Sequence, residues 1–199
     1  GRVPFTGDIG VEELDIKFNE DNKGINVDKR MQTNIENIYA IGDVTDEILL
    51  AHVASHQGIV AVKNIMGQEC KMDYDTVPSA IFTQPEIAEV GLDEKTAKDK
   101  GFEVEVGKFP FRANGKVLTT GETHGFTKLV ADKKTGRLLG ASIIGVNATD
   151  LLGEVTLAVE KELKAKDLVD TIHAHPTTAE TIHEAALELE GGAIHFNGR

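Results

Sequence analysis

Two strand-type runs, residues 126–132 (FTKLVAD) and 138–146 (LLGASIIGV), stand on either side of the turn Lys133-Lys-Thr-Gly136. Runs of this kind joined by a short, glycine-ended turn predict an antiparallel hairpin. Further strand-like runs at 80–83, 86–92 and 104–111 extend the same pattern, so the later part of the chain is constrained to an antiparallel sheet. Three helical patterns lie between and after the strands. Residues 93–100 are stopped by Gly101, residues 148–164 have Asn147 as a cap candidate, and residues 178–189 are stopped by Gly191 and Gly192. An antiparallel sheet with helices packed on one side is an α+β fold.

The earlier part reads differently. Residues 14–18 and 25–28 are short strand candidates, and residues 37–43 (NIYAIGD) form a buried apolar strand ending in a Gly-Asp turn. Leu50, Val53, Ala54, Ala61, Val62 and Ile65 recur at helical spacing, which predicts one helix over 49–66 with Gly67 as its stop. The polar, acidic stretch 68–78, closed by Pro78, separates two units. The expected organisation is 1–68, a linker at 69–77, and 78–199.

Charge narrows the partners. Thirty-three acidic residues against 21 basic ones leave a formal charge of −12, which argues against nucleic acid and anionic membranes. The single cysteine, Cys70, has no intramolecular disulfide partner, and no apolar run approaches the ~18 residues of a membrane span. A soluble, reducing, cytoplasmic setting is expected. The opening GRVPFTGDIG has the composition of a turn or linker, so the chain is expected to begin inside a larger structure. No G-x-G-x-x-G phosphate cradle is present.

The segment Thr171-Ile-His-Ala-His-Pro-Thr-Thr-Ala-Glu180 carries the most chemistry. Proline biases His175 toward an extended backbone, and Glu180 falls just inside the next helix. A carboxylate there can pin one ring nitrogen while the other faces a substrate, as in a general acid/base. The same residues also spell a capping box, in which Glu180 serves only the Thr177 amide. Both readings stand at this point. Metal binding by His173 with His175, or by His52 with His56, lacks further ligands at suitable spacing, so no metal site is expected. A Gly42-Asp43 strand end followed by Leu50-Ala-His52 at a helix start could receive a dinucleotide, though Gly-Asp is also an ordinary turn.

In this order, the motifs closely resemble the C-terminal portion of the dihydrolipoamide dehydrogenases, a branch of the pyridine nucleotide-disulfide oxidoreductases. Gly1-Arg-Val-Pro4 resembles the segment leaving that family's NAD domain. Thr33 with Ile38-Tyr-Ala-Ile-Gly-Asp43 resembles its second FAD motif, and Leu50-Ala-His52 the helix start beneath the flavin. Phe82-Thr-Gln-Pro-Glu86, Val90-Gly-Leu92, Phe109-Pro-Phe111, Ala113-Asn114 and Gly125-Phe-Thr-Lys128 resemble its dimerisation domain, and His173-Ala-His-Pro-Thr177 with Glu180 its active-site signature. Glutathione reductases do not usually carry His-Ala before His-Pro-Thr, and mercuric reductases typically end in a cysteine pair, which is absent here.

The resemblance implies a partial FAD-binding segment followed by an interface domain, with FAD and NAD as cofactors of the parent enzyme. It implies that His175, held by Glu180, exchanges protons with the dithiol substrate and the redox thiol. It also implies cofactor contacts from Gly42, Asp43, Leu50, Ala51 and His52, with Asp43 on the FAD ribityl region and residues 50–52 offering amides near the flavin ring. The implied partners are a second copy of the chain and lipoyl domains of a 2-oxo-acid dehydrogenase complex or the glycine cleavage system. The redox cysteine pair and both nucleotide fingerprints of the family would precede Gly1. The chain is therefore expected to be a fragment, inactive alone and without stoichiometric FAD. Taken alone it could instead be a non-catalytic homodimerisation module, and a related disulfide reductase such as glutathione reductase is the neighbouring alternative.

Overall fold

The computed structural model describes residues 3–20 and 23–196, so Gly1 and Arg2 of the opening motif lie outside the described residues. The chain divides into two compact units, a first reaching to Tyr74 and a second beginning at Asp75.

In the first unit the strands expected at 14–18, 25–28 and 37–43 are not formed. In place of ladders, among the described residues there are the isolated bridges Phe18↔Ile25 and, from Tyr39 to a residue outside the expected strands, Gln32↔Tyr39. The reason lies in the backbone. Thr33 donates to the Ile38 carbonyl at 2.9 Å and Ala40 to that of Met31 at 3.1 Å. Met31 (φ 68°) and Asn37 (φ 65°) both adopt left-handed conformations, which bend the chain out of an extended repeat before a ladder can grow. Val11, Ile16, Ile25 and Ala40 make a small core there, with Phe18, Ile35, Ile38 and Val44 against it.

After a 3-10 turn at Gly42–Thr45 comes helix α1, Ala51–Ile65. Its buried residues are Val53, Gln57, Val60 and Ala61, while Val62 and Ile65, expected on the buried face, are exposed. Gln57 turns the face. Its side chain accepts from the Gly42 amide at 2.6 Å and donates to the Tyr74 hydroxyl at 2.9 Å, so a fully partnered amide occupies the interior.

The second unit contains β1 (Ser79–Ile81), β2 (Glu86–Gly91), α2 (Glu94–Asp99), β3 (Val104–Pro110), α3 (Gly115–Thr120), β4 (Phe126–Asp132), β5 (Leu138–Gly145), α4 (Ala148–Glu160), α5 (Ala165–Asp170) and α6 (Glu180–Leu189). The sheet runs β1-β2-β5-β4-β3 with every neighbour antiparallel. The predicted hairpin closes through Gly136 (φ 74°), whose amide reaches the Asp132 carbonyl at 2.8 Å. The Asp132 carboxylate accepts the Thr135 hydroxyl at 2.7 Å.

Strand alternation sorts the faces. Ala88, Val90, Phe109, Leu129, Ala131, Ala141 and Ile143 bury against helical residues that include Leu152, Val155, Ile182 and Ala185. Val130 and Leu139 point to the other face and pack on Ala97 of α2, so helices cover both sides rather than one. The helix expected over 148–164 stops at Glu160, with Glu162 at φ 54°, and α5, which the sequence pattern does not predict, begins beyond that range at Ala165. Asn147 gives no side-chain cap to α4; the Glu86 carboxylate, reaching from β2, takes the Thr149 amide at 3.1 Å and its hydroxyl at 2.8 Å.

Gly107 controls how closely α6 approaches β3. A Cβ at this position would stand 2.0 Å from the Ala185 carbonyl oxygen. Gly107→Val is expected to lower the stability of the second unit by about 3 kcal/mol or more, the upper range for overpacking, because the obstacle is backbone. Gly115→Ala, with nothing within 4 Å of the added carbon, is the neutral control. Urea midpoints of the two variants check this contrast.

Candidate active site

Helix α6 presents the site because its inner face is committed elsewhere. Ile182, Ala185 and Ala186 are fully buried, and the Thr181 and Thr127 hydroxyls meet at 2.9 Å in the interior. Glu180 is left at the helix start, facing the loop that carries His175. The Asn114 side chain tethers that loop by donating to the Thr177 carbonyl at 3.0 Å. Its oxygen accepts the Val117 amide at 2.9 Å, capping α3. The Thr177 hydroxyl donates to the Ala174 carbonyl at 2.7 Å and closes the turn.

The two sequence readings of Glu180 coexist. One carboxylate oxygen lies 2.8 Å from His175 Nδ1 and the other accepts the Thr177 amide at 2.8 Å. A carboxylate only accepts, so Nδ1 carries the hydrogen and Nε2 is the open position of the neutral ring. Among the described residues Nε2 has no partner. The His175 side chain is 77% exposed against 23% for Glu180, so the acid is sheltered and the base is presented. Burial raises the Glu180 carboxyl, but the Thr177 amide and the His175 ring together outweigh it and hold the group below its ordinary value of 4.5.

His173 and His175 turn to different carboxylates. The His173 ring lies 2.9 Å from Glu154 Oε1 through Nε2 and 2.9 Å from the Thr171 carbonyl through Nδ1. A third pair joins His195 Nδ1 to Glu184 at 2.6 Å, and Glu184 also accepts the Ile194 amide at 2.8 Å. His52 and His56 lie exposed on α1. Among the described residues no group of three or more His, Cys, Asp or Glu side chains is placed to hold a metal ion. Sequence reasoning missed Glu154 and Glu184, which look like ordinary helix-surface acids, and it had no role for Asn114 beyond resemblance. An Asn-Gly pair before a short helix was the available cap signal for Asn114.

In the first unit, Gly42 (φ 74°) opens the 3-10 turn and Asp43 stands exposed in it. The turn packs against α1, whose N-cap Leu50 supplies no side-chain cap. Helix α1 begins at Ala51, with Ala51 and His52 exposed on its first turn. An exposed carboxylate in the turn that packs on the start of a helix is a set of groups that suits the hydroxyls and polar edge of a flavin nucleotide. The residues present fit one side of such a group.

A cavity of about 780 Å³ lies elsewhere in the second unit, lined by Lys108, Arg112, Glu188, Ile194 and Phe196 among others. None of the predicted site residues lines it. The chemistry at His175 sits on open surface.

The antiparallel sheet with its covering helices places the second unit in a known class of domain. Residues 77–186 match the dimerisation domain of the pyridine nucleotide-disulphide oxidoreductases, and residues 1–58 match the pyridine nucleotide-disulphide oxidoreductase domain. The chain belongs to this family. It is 48% identical over 197 residues to the dihydrolipoyl dehydrogenase of Chlamydia muridarum, covering 98% of this chain and 42% of that protein. Among solved structures, LpdA from Mycobacterium tuberculosis superposes with a TM-score of 0.89 at 30% identity, covering 95% of this chain and 41% of that one. RclA from Escherichia coli, an HOCl-induced flavoprotein disulfide reductase, gives 0.85 at 29% identity, with 94% and 43% covered. The chain spans less than half the length of these relatives. No helix of the described residues is long and apolar enough to cross a membrane.

The Glu180 geometry sets a pH dependence. With its folded value lowered, Glu180 contributes stability that is fully present above its unfolded value, near 4.5, and is lost as pH falls through the lower folded value. Glu180→Gln keeps an acceptor for the Thr177 amide and is expected to flatten that part of the acid transition. Urea midpoints between pH 6 and pH 3 read the difference; identical slopes in the two proteins would show that Glu180 is not depressed.

Proposed function

We propose that the chain is the C-terminal part of a flavin-dependent dihydrolipoamide dehydrogenase, in which His175 and Glu180 form the acid/base pair. The observation that carries this reading is the 2.8 Å contact from His175 Nδ1 to Glu180, which leaves Nε2 directed outward. In this role Nε2 takes the proton of a substrate thiol as its sulfur attacks a disulfide, and returns it when the redox thiol is released. Glu180 stabilises the imidazolium that forms and keeps the ring from turning. The Thr177 amide holds the second carboxylate oxygen, so the pair keeps its alignment through the proton transfer.

Gly42, Asp43, Leu50, Ala51 and His52 would lie along FAD, with Asp43 on the ribityl hydroxyls, although the Leu50 amide donates to the Ile48 carbonyl at 2.9 Å in this structure. When bound, FAD supplies two-electron transfer between the dithiol and NAD. The segments divide as 1–68, the end of the FAD-binding region; 69–77, a linker; and 78–199, the interface domain. A homodimer, lipoyl domains of a 2-oxo-acid dehydrogenase complex or the glycine cleavage system, and a cytoplasmic location belong to the same proposal. The likeness to RclA keeps a related disulfide reductase as the second reading. Cys70, the single cysteine, cannot supply a disulfide by itself, so the 199-residue chain alone is a non-catalytic module.

In the complete enzyme, His175→Gln is expected to cut turnover by at least ~10²-fold, the scale of losing a positioned acid/base, with Glu180→Gln milder in the same direction and flavin content unchanged in both. Stopped-flow and steady-state rates with dihydrolipoamide check it, and near-normal turnover of the His175 variant would remove that residue from the chemistry. For the 199-residue chain, light scattering at tens of micromolar is expected to give twice 21.5 kDa, with no flavin bands in the visible spectrum. A yellow preparation that reduces NAD with dihydrolipoamide would refute the assignment of the chain as inactive.

A further inference from the structure

We propose that His173 is a positioning residue for His175, acting through Glu154 on α4; the role rests on the reading of His175 as the proton carrier and deepens it. The two histidines are separated by one residue and differ in every physical respect. His173 has a side chain only 7% exposed, both ring nitrogens engaged, and its ring 5.1 Å from that of His183. His175 is the exposed member of the pair.

The loop explains why the buried ring matters. Downstream of His175, Thr177 is held three ways: by Asn114 at its carbonyl, by Glu180 at its amide, and through its own hydroxyl to Ala174. Upstream, Ile172 is 98% exposed, and the Thr171 bonds, from its amide to Leu168 and from its hydroxyl to Asp167, fasten the backbone only to the end of α5. Among the described residues, the side chain that ties the upstream arm to an element other than α5 is His173, reaching Glu154 at 2.9 Å. With that tie, the stretch carrying His175 is fixed at both ends, and the ring is presented to Glu180 in one orientation. Without it, the upstream arm can swing and Nδ1 can leave the carboxylate. The Thr171 carbonyl and the Glu154 carboxylate both only accept, so a neutral ring donates to one of them at a time and only an imidazolium to both; an apolar side chain at 173 can donate to neither.

The test uses three variants. His173→Leu removes the ring, Glu154→Ala removes its anchor from the half-buried surface of α4, and Glu154→Gln retains an oxygen that accepts from the ring. In the 199-residue chain, ring nitrogen-15 NMR of neutral His175 is expected to show a single Nδ1–H tautomer for the wild type and Glu154→Gln, and averaged tautomers for His173→Leu and Glu154→Ala. In the complete enzyme the two disrupting variants are expected to lose about tenfold to hundredfold in kcat, with KM for the dithiol nearly unchanged and Glu154→Gln restoring most of the rate. A single His175 tautomer with normal kcat in both disrupting variants overturns the role of His173. His175→Gln with normal turnover overturns the reading of His175 itself, whatever the tautomer result, so the two failures are distinct.

Discussion

Helix α6 lies directly on β3 because position 107 carries no side chain: the Ala185 carbonyl oxygen occupies space that any Cβ would need. That approach seats Ile182, Ala185 and Ala186 in the core and brings the Thr181 and Thr127 hydroxyls into contact. The inner face of α6 then has no freedom to rotate, since doing so would strand buried polar groups and open cavities. Glu180 inherits its direction from this packing. The Glu180 carboxylate is thus placed by the packing of α6 on the sheet.

From that placement the division of labour at the site follows. A carboxylate with one oxygen on a backbone amide and one on an imidazole is held by two contacts, and neither can be lost without loosening the other. One residue both takes the Thr177 amide just before the helix and orients the histidine, while Ala179, at the N-cap of α6, gives it no side-chain cap. The His195 and Glu184 pair repeats the device one turn along, with a buried carboxylate gathering the Ile194 and His195 amides and the His195 ring.

Family membership and local geometry support each other through different evidence. The matched regions, 77–186 and 1–58, fall one within each unit, while the histidine-carboxylate contact is visible only as a distance. Exposure of His175 is what a proton carrier needs if its substrate arrives from outside the chain.

The amino-acid sequence by itself determined the antiparallel strands and their hairpin, because period-two alternation and the turn ending in Gly136 act over a few neighbouring residues. It also brought His175, Pro176 and Glu180 together, since their spacing crosses a single turn. It could not choose between capping and orienting for Glu180, because a motif does not say how many groups two oxygens can serve. The early segments look like strands in sequence, yet Met31 and Asn37 turn left-handed where a ladder would need extension, and neither is glycine to signal it. Only the tertiary structure decided that Glu86 rather than Asn147 caps α4, that Gln57 is buried while Val62 and Ile65 are not, and that Glu154 holds His173. Each of these joins residues fifteen or more apart or depends on which face of a helix the rest of the fold leaves uncovered, and local patterning carries no information about either.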